Sequence, residues 1–98
     1  MAKIRLSRKA FADLDGIWDY TVETWSEEQA VIYYRQIYTT IYGLNSIPVF
    51  LEKTYEVIKP GILGYKVGHH IVFYKKLPDG SIRVDRILHE KMDFQSHL

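Results

Sequence analysis

The apolar positions of this chain change period along its length, and the changes mark out its elements. Lys3 to Leu6 (KIRL) alternates polar and apolar, which predicts a short strand. Ser7 then stands where an N-cap belongs, its hydroxyl able to accept from a free N–H of the first helical turn. Phe11, Leu14, Ile17 with Trp18, Thr21 with Val22, and Trp25 recur at three- and four-residue steps, one apolar stripe on a helix. Gly16 sits inside it at a cost of about 1 kcal/mol relative to alanine. Ser26-Glu27-Glu28-Gln29 reads as a capping box, with acids in the turn where the helix dipole favours them. The second helix carries Ala30, Tyr33, Tyr34, Ile37, Ile41 and Leu44 on one side, and Pro48 stops it. So short a join between helices predicts an antiparallel hairpin.

Past Phe50 the period drops to two. Thr54 to Ile58 is a strand candidate and Pro60-Gly61 a turn. Ile62 to Val67, His70 to Leu77 and Ser81 to His89 are further strands, broken by Gly68 and by Pro78-Asp79-Gly80. The order predicts a single α+β domain over 1–98: an N-terminal strand, then an antiparallel helix hairpin packed on one face of an antiparallel β-sheet.

The last turn carries the prediction down to side chains. A two-residue or symmetric four-residue loop around Asp79-Gly80 sets Leu77 opposite Ile82, Phe73 opposite Arg86, Ile71 opposite Leu88 and His70 opposite His89. A three-residue loop with a bulge would break that register. One face then carries Ile71, Phe73, Leu77, Ile82, Val84 and Leu88, and the helices should cover it. The other carries His70, Val72, Tyr74 and Lys76 beside Arg83, Asp85, Ile87 and His89 and should be open. Histidines able to move protons near neutral pH, next to cations able to hold a phosphate, make that face a candidate site. An open antiparallel face is also normally polar without any such role.

Composition narrows the classes. The chain has 98 residues and a formal charge of +1, against the strong basic excess of proteins that grip nucleic acid over a long stretch. It has no cysteine, which excludes disulfides and thiolate metal sites, and two facing histidines alone make a poor metal site. No cofactor is expected. No apolar run approaches the ~20 residues of a membrane span, and no apolar segment follows the basic N-terminus as in a secretory signal. A cytoplasmic home is expected. Eight tyrosines and two tryptophans are a heavy aromatic load, suited to packing and to protein interfaces. Tyr33, Tyr34, Tyr38 and Tyr42 spread too widely for one buried stripe, so some of these rings should be exposed or covered by a partner.

Several stretches together resemble the ParE toxins of bacterial toxin–antitoxin systems, in the RelE/ParE superfamily. They are Ala12-Asp13-Leu14 with Ile17 and Tyr20; Trp25 with Gln29-Ala30 and Tyr34; Gly68, His70 and Phe73-Tyr74; and Arg86-Ile87-Leu88-His89 with Met92-Asp93 and His97-Leu98. The resemblance implies a plasmid-stabilisation type of toxin, not an enzyme, that arrests growth by trapping DNA gyrase on cleaved DNA. It also implies a ParD-like antitoxin, bound in a hetero-oligomer, and no specific nucleic-acid binding by the toxin alone. On this reading His70, Tyr74, Lys76, Arg83, Arg86, His89 and Lys91 would meet the target, and Trp18, Tyr34, Tyr38 and Tyr42 the antitoxin. RelE relatives instead cut messenger RNA in the ribosome, and the matching set here would be His70, Tyr74, Arg83 and His89. This chain departs from the family pattern at two places. Leu63 follows Gly61-Ile62 where an arginine is usual, and Leu51-Glu52 replaces a common Gly-Arg pair.

Overall fold

Ser7 decides where the first helix begins. In the computed structural model, which describes residues 3–98, its hydroxyl oxygen accepts from Ala10 N–H at 3.0 Å, opening α1 (Arg8–Thr24). The same hydroxyl donates to the Asp85 carbonyl at 2.6 Å, which ties the helix start to the last strand. Ser26 repeats the cap by accepting from Gln29 N–H at 3.0 Å, and α2 runs Glu27–Tyr42. This helix ends at Gly43, before the expected stop at Pro48, because glycine gives up most backbone freedom in a helix. Two single 3₁₀ turns, Leu44–Ser46 and Val49–Leu51, fill the interval, with Leu44 buried in the first.

The strands β1 (Ile4–Leu6), β2 (Lys53–Thr54), β3 (Leu63–Val67), β4 (His70–Lys76) and β5 (Ile82–His89) form one sheet in the order β1-β5-β4-β3-β2. All neighbours are antiparallel except β1, which joins β5 in parallel with Ile4 opposite Ile82, so the sheet is mixed. The strand expected over Thr54 to Ile58 stops at Thr54. Ile58 and Lys59 N–H both donate to the Tyr55 carbonyl, at 2.9 and 3.0 Å, and curl the chain into turns.

The loop after β4 has three residues. Leu77 N–H donates to the Ser81 carbonyl at 2.8 Å, and Gly80 takes the left-handed φ of 87° that such a loop requires. Lys76, not Leu77, therefore faces Ile82. A bulge then absorbs Asp85, between the pairs Tyr74–Val84 and Phe73–Arg86. Beyond it the expected pairs Phe73–Arg86, Ile71–Leu88 and His70–His89 are present.

The two offsets exchange the expected roles of the faces. Val72, Tyr74, Ile82, Val84 and Ile87 pack under the helix hairpin with Leu14, Ile17, Ile37 and Ile41, on the side that also carries His70. The loop offset moves Ile82 and Val84 onto that side, which makes it the larger apolar surface, and the helices follow it. The face expected beneath the helices is covered by other segments. Ile62, Ile71, Phe73 and Leu88 pack with Tyr55, Phe94 and Leu98. Phe94 opens α3 (Phe94–His97), a single turn capped by Asp93, and meets Phe73 edge-on at 4.9 Å. Gly64 makes room for Tyr55, since a Cβ there would lie 2.5 Å from the tyrosine ring. Of the apolar stripe read for α1, Leu14 and Ile17 are buried, whereas Phe11 and Trp25 are 51% and 73% exposed.

Candidate functional site

Three histidines converge where β3 and β4 meet the end of β5. His70 faces His89 across the ladder with ring centroids 5.2 Å apart, and His69, in the Gly68-His69 turn, lies 6.3 Å from His89. Tyr33 reaches them from α2. Its hydroxyl lies 2.6 Å from His70 Nδ1 and accepts from His69 N–H at 3.1 Å. Gly68 allows this approach: its φ is 57°, and a Cβ there would stand 2.5 Å from the Tyr33 ring. Gly68→Ala should destabilise by about 1–2 kcal/mol and displace Tyr33. A thermal melt, with an NMR titration of His70, would read both effects.

Burial lowers the His70 pKa to about 4, with the neighbouring His89 and His69 adding to it and Glu90 and Asp13 opposing. His70 is therefore neutral at pH 7. Tyr33 and His70 Nδ1 share one hydrogen bond whose direction follows the imidazole tautomer, and the same hydroxyl lies 3.2 Å from the Val67 carbonyl. His89 Nδ1 accepts from Lys91 N–H at 3.2 Å. His69 Nδ1 lies 2.8 Å from Glu90, and Lys66 Nζ 3.0 Å from it; these contacts lower the Glu90 pKa to about 2.

The folded-state pKa of His70 lies below the ordinary value of 6.5, so folding favours its neutral form. The associated stability is fully present above pH 6.5 and is lost as pH falls toward 4. Discounted for partial solvation, the loss should be about 1–2 kcal/mol. Denaturant midpoints between pH 7 and pH 4 should show it, and His70→Gln should flatten that segment of the curve.

Two clefts meet at these rings. One, of about 500 Å³, is lined by Tyr20, Trp25 and Tyr33 with the three histidines. The other, of about 340 Å³, is shared by His70 and His89 with Asp13, Ile17, Tyr20 and Met92. Neither lining contains a lysine or arginine. The arrangement offers hydrogen-bond donors and aromatic surface, but no cation to hold a phosphate.

The other candidate residues lie elsewhere. Tyr74, expected on an open face, is buried beneath the helices. Its hydroxyl donates to Glu52, and burial together with that carboxylate raises its pKa. Lys76 donates to the same carboxylate at 2.6 Å, so Glu52, in the Leu51-Glu52 departure from the family pattern, has become an internal acceptor. Arg83 turns to the face away from the helices and pairs with Asp85 at 2.7 Å. The set His70, Tyr74, Arg83 and His89 is thus divided between two faces, because the three-residue loop separates Arg83 from the rest. Arg86 donates through Nε and Nη2 to Asp13, at 2.8 and 2.9 Å, and through Nη1 to the His97 carbonyl at 3.0 Å. Lys91 is exposed. Among the described residues no group of three His, Asp or Glu side chains is placed to hold a metal ion.

On α2 the tyrosines form a continuous ladder. Trp18 meets Tyr34 edge-on at 5.6 Å, Tyr34 meets Tyr38 at 4.9 Å, and Tyr38 stacks on Tyr42 at 5.8 Å. Tyr42 is 59% exposed at its end. Sequence reasoning missed Tyr33, Asp13 and Glu52 as organisers. Tyr33 stood within the tyrosine run, Asp13 within Ala12-Asp13-Leu14 and Glu52 within Leu51-Glu52, but no local pattern signalled the partner of any of them.

The backbone architecture is shared with solved structures. The toxin–antitoxin system described as chromosomal ParDE from P. aeruginosa has a chain that superposes with a TM-score of 0.76 at 24% identity, over 91% of this chain and 96% of that one. A chain of the RelBE2 toxin–antitoxin complex of Mycobacterium tuberculosis superposes at 0.58 with 15% identity, over 90% and 96%. The helix hairpin on its mixed sheet is accordingly the α+β fold that these two structures share. Sequence narrows this further. Residues 4–94 match the family model described as the ParE toxin of the type II toxin–antitoxin system parDE. Toxin ParE1 of Caulobacter vibrioides is 37% identical over 100 residues, covering 100% of this chain and 99% of that protein. Toxin ParE1 of Mycobacterium tuberculosis is 34% identical over 93 residues, covering 95% and 94%. The chain belongs to the ParE toxin family of type II toxin–antitoxin systems.

Proposed function

We propose that this ParE-family toxin acts by binding, poisoning DNA gyrase on cleaved DNA, and that a ParD-like antitoxin neutralises it in a hetero-oligomeric complex in the bacterial cytoplasm. The observation that carries the non-enzymatic reading is the separation of histidines from cations. His70 and His89 line clefts without lysine or arginine, Tyr74 is buried against Glu52, and Arg83 lies on the opposite face. In-line attack on a phosphodiester needs acid, base and charge stabilisation at one phosphate. The clefts instead present Tyr20, Trp25 and Met92 around the histidine rings, the surface of a docking site. On this reading His70, His89 and Lys91 contact the target directly, and Arg86 holds the strand that presents them.

The test is the purified chain with gyrase, ATP and supercoiled plasmid, scored for linear DNA after the enzyme is denatured. Linear product that disappears on adding antitoxin is the expected result. No linear product from a chain that still arrests growth would overturn it. One observation favours a ribonuclease as the second reading: Tyr33, His70 and His89 do converge, with proton donors at hydrogen-bond reach. Loss of toxicity in His70→Ala, together with codon-dependent cuts in messenger RNA made by the wild type, would establish it.

A further inference from the structure

The formal charge of +1 conceals a separation of charge. The outer side of α1 and the start of α2 carry Asp15, Asp19, Glu23, Glu27 and Glu28, all exposed. Cations collect on the sheet face turned away from the helices. Arg5 of β1 lies opposite Arg83 of β5, and Arg83 lies opposite Lys75 of β4. Their neighbours Ile4, Leu6, Tyr74, Ile82 and Val84 all join the core under the helices, so the three cations share the outer face. Adjacent strands are about 4.8 Å apart, and like charges directly opposite one another are destabilising. Lys59, Arg8 and Lys9 extend the row around a cleft of about 380 Å³ next to Arg83.

The nearby acids do not cancel this charge. Asp85 accepts from Arg83 at 2.7 Å, whereas Lys59 Nζ stands 3.7 Å from its other oxygen, beyond hydrogen-bond reach. Asp79 is held by the Ser81 hydroxyl and N–H. Six cations against two carboxylates leave a strong positive potential on one side of a nearly neutral chain.

We infer that the row Arg5–Arg83–Lys75, extended by Lys59, Arg8 and Lys9, is a docking surface for the phosphodiester backbone of a nucleic acid, bound without sequence preference. Charge complementarity selects a polyanion. The absence of an exposed aromatic or branched anchor favours phosphate over an acidic protein segment: among the described residues lining the cleft, Arg8, Lys9, Lys59, Arg83 and Arg86 outnumber the one aliphatic side chain, Leu98. Protein interfaces are organised around buried aromatic or aliphatic anchors, whereas backbone phosphates need only cations and N–H donors. The exposed aromatic rings Tyr20 and Trp25 lie instead in the cleft of the histidines. The inference holds whether the toxin's target is gyrase or another assembly, since it concerns the chain alone.

The experiment is fluorescence anisotropy of a labelled 20-bp duplex of random sequence titrated with the purified chain. About four neutralised phosphates give a slope of log K against log salt near −3.6, about a hundredfold loss between 50 and 200 mM. Arg5→Glu with Lys75→Glu should weaken binding more than tenfold at low salt. The neutral pair Arg5→Gln with Lys75→Gln should lower the slope by about 2 and guards against a folding defect in the first. Two single-charge reversals elsewhere, Arg35→Glu and Lys53→Glu, match the change in net charge and should have a far smaller effect. Equal weakening by both pairs, or no salt-dependent binding, overturns the inference. So does a polyglutamate peptide that displaces the duplex at a lower charge concentration than unlabelled duplex, which would assign the face to an acidic protein.

Discussion

Asp13→Ala is expected to lower stability by about 3 kcal/mol, the largest loss from any single substitution considered. Asp13 does three things with one carboxylate. It accepts from Arg86 Nε and Nη2, and its Oδ2 also accepts from Ile87 N–H at 2.9 Å, on the stretch of β5 beyond the end of β1. Both ionic side chains are about 15% exposed (14% for Asp13 and 16% for Arg86), so removing the acid strands a guanidinium that water cannot fully recover. It also frees an edge N–H and slackens the strand that carries His89. For a domain of this size, 3 kcal/mol corresponds to a fall in Tm of roughly 12–24 °C. Asp13→Asn keeps part of the hydrogen bonding and should fall in between. A double-mutant cycle with Arg86→Met should return a coupling above 1 kcal/mol. A loss below 1 kcal/mol in the alanine variant would show that Arg86 simply turns out to solvent.

Tyr42→Lys is the second large effect, on antitoxin binding and not on folding. Under the proposed function, the ladder of Trp18, Tyr34, Tyr38 and Tyr42 receives an antitoxin helix through apolar anchors. Tyr38 is half-buried between two rings, so a charge there would disturb the fold as well. Tyr42 is the cleaner position. It is 59% exposed and is the last residue of α2, where a cation suits the helix dipole. Affinity should fall about tenfold to a hundredfold with the melting temperature nearly unchanged. Calorimetric titration with the antitoxin would measure it. Unchanged affinity would remove the far end of the ladder from the interface.

The helices and most strand positions were legible because their signals are local. Ser7 and Ser26 stand at the N-caps their side-chain chemistry predicts, and Gly68 and Gly80 occupy the turns that need a positive φ. The faces of the sheet were not, and the reason is parity. Side chains alternate with a period of two, so the three-residue loop at Pro78-Asp79-Gly80 reverses every assignment on Ile82 to Val84, and the bulge at Asp85 reverses it back. Neither offset has a signature that separates it from a regular hairpin of the same composition. For the candidate site, the meeting of His70 with His89 follows from pairing and was legible. Tyr33 joins them from 37 positions away and Asp13 joins Arg86 from 73, distances at which the linear pattern carries no information.

The same long reach bears on how the toxin comes into being. Ser7 donates to the Asp85 carbonyl across 78 positions, Asp13 accepts from Ile87 N–H across 74, and β1 has β5 as its neighbour in the sheet. The strand partner of β1 and the long-range hydrogen-bond partners of Ser7 and Asp13 therefore lie in a stretch made late in synthesis. A nascent chain that has reached only residue 80 displays the apolar side of its helix hairpin with no completed sheet to cover it. High contact order slows folding, and a chain interrupted before β5 lacks the strand that joins β1 to β4. The first strand of the chain thus waits for the last before it has a place in the sheet.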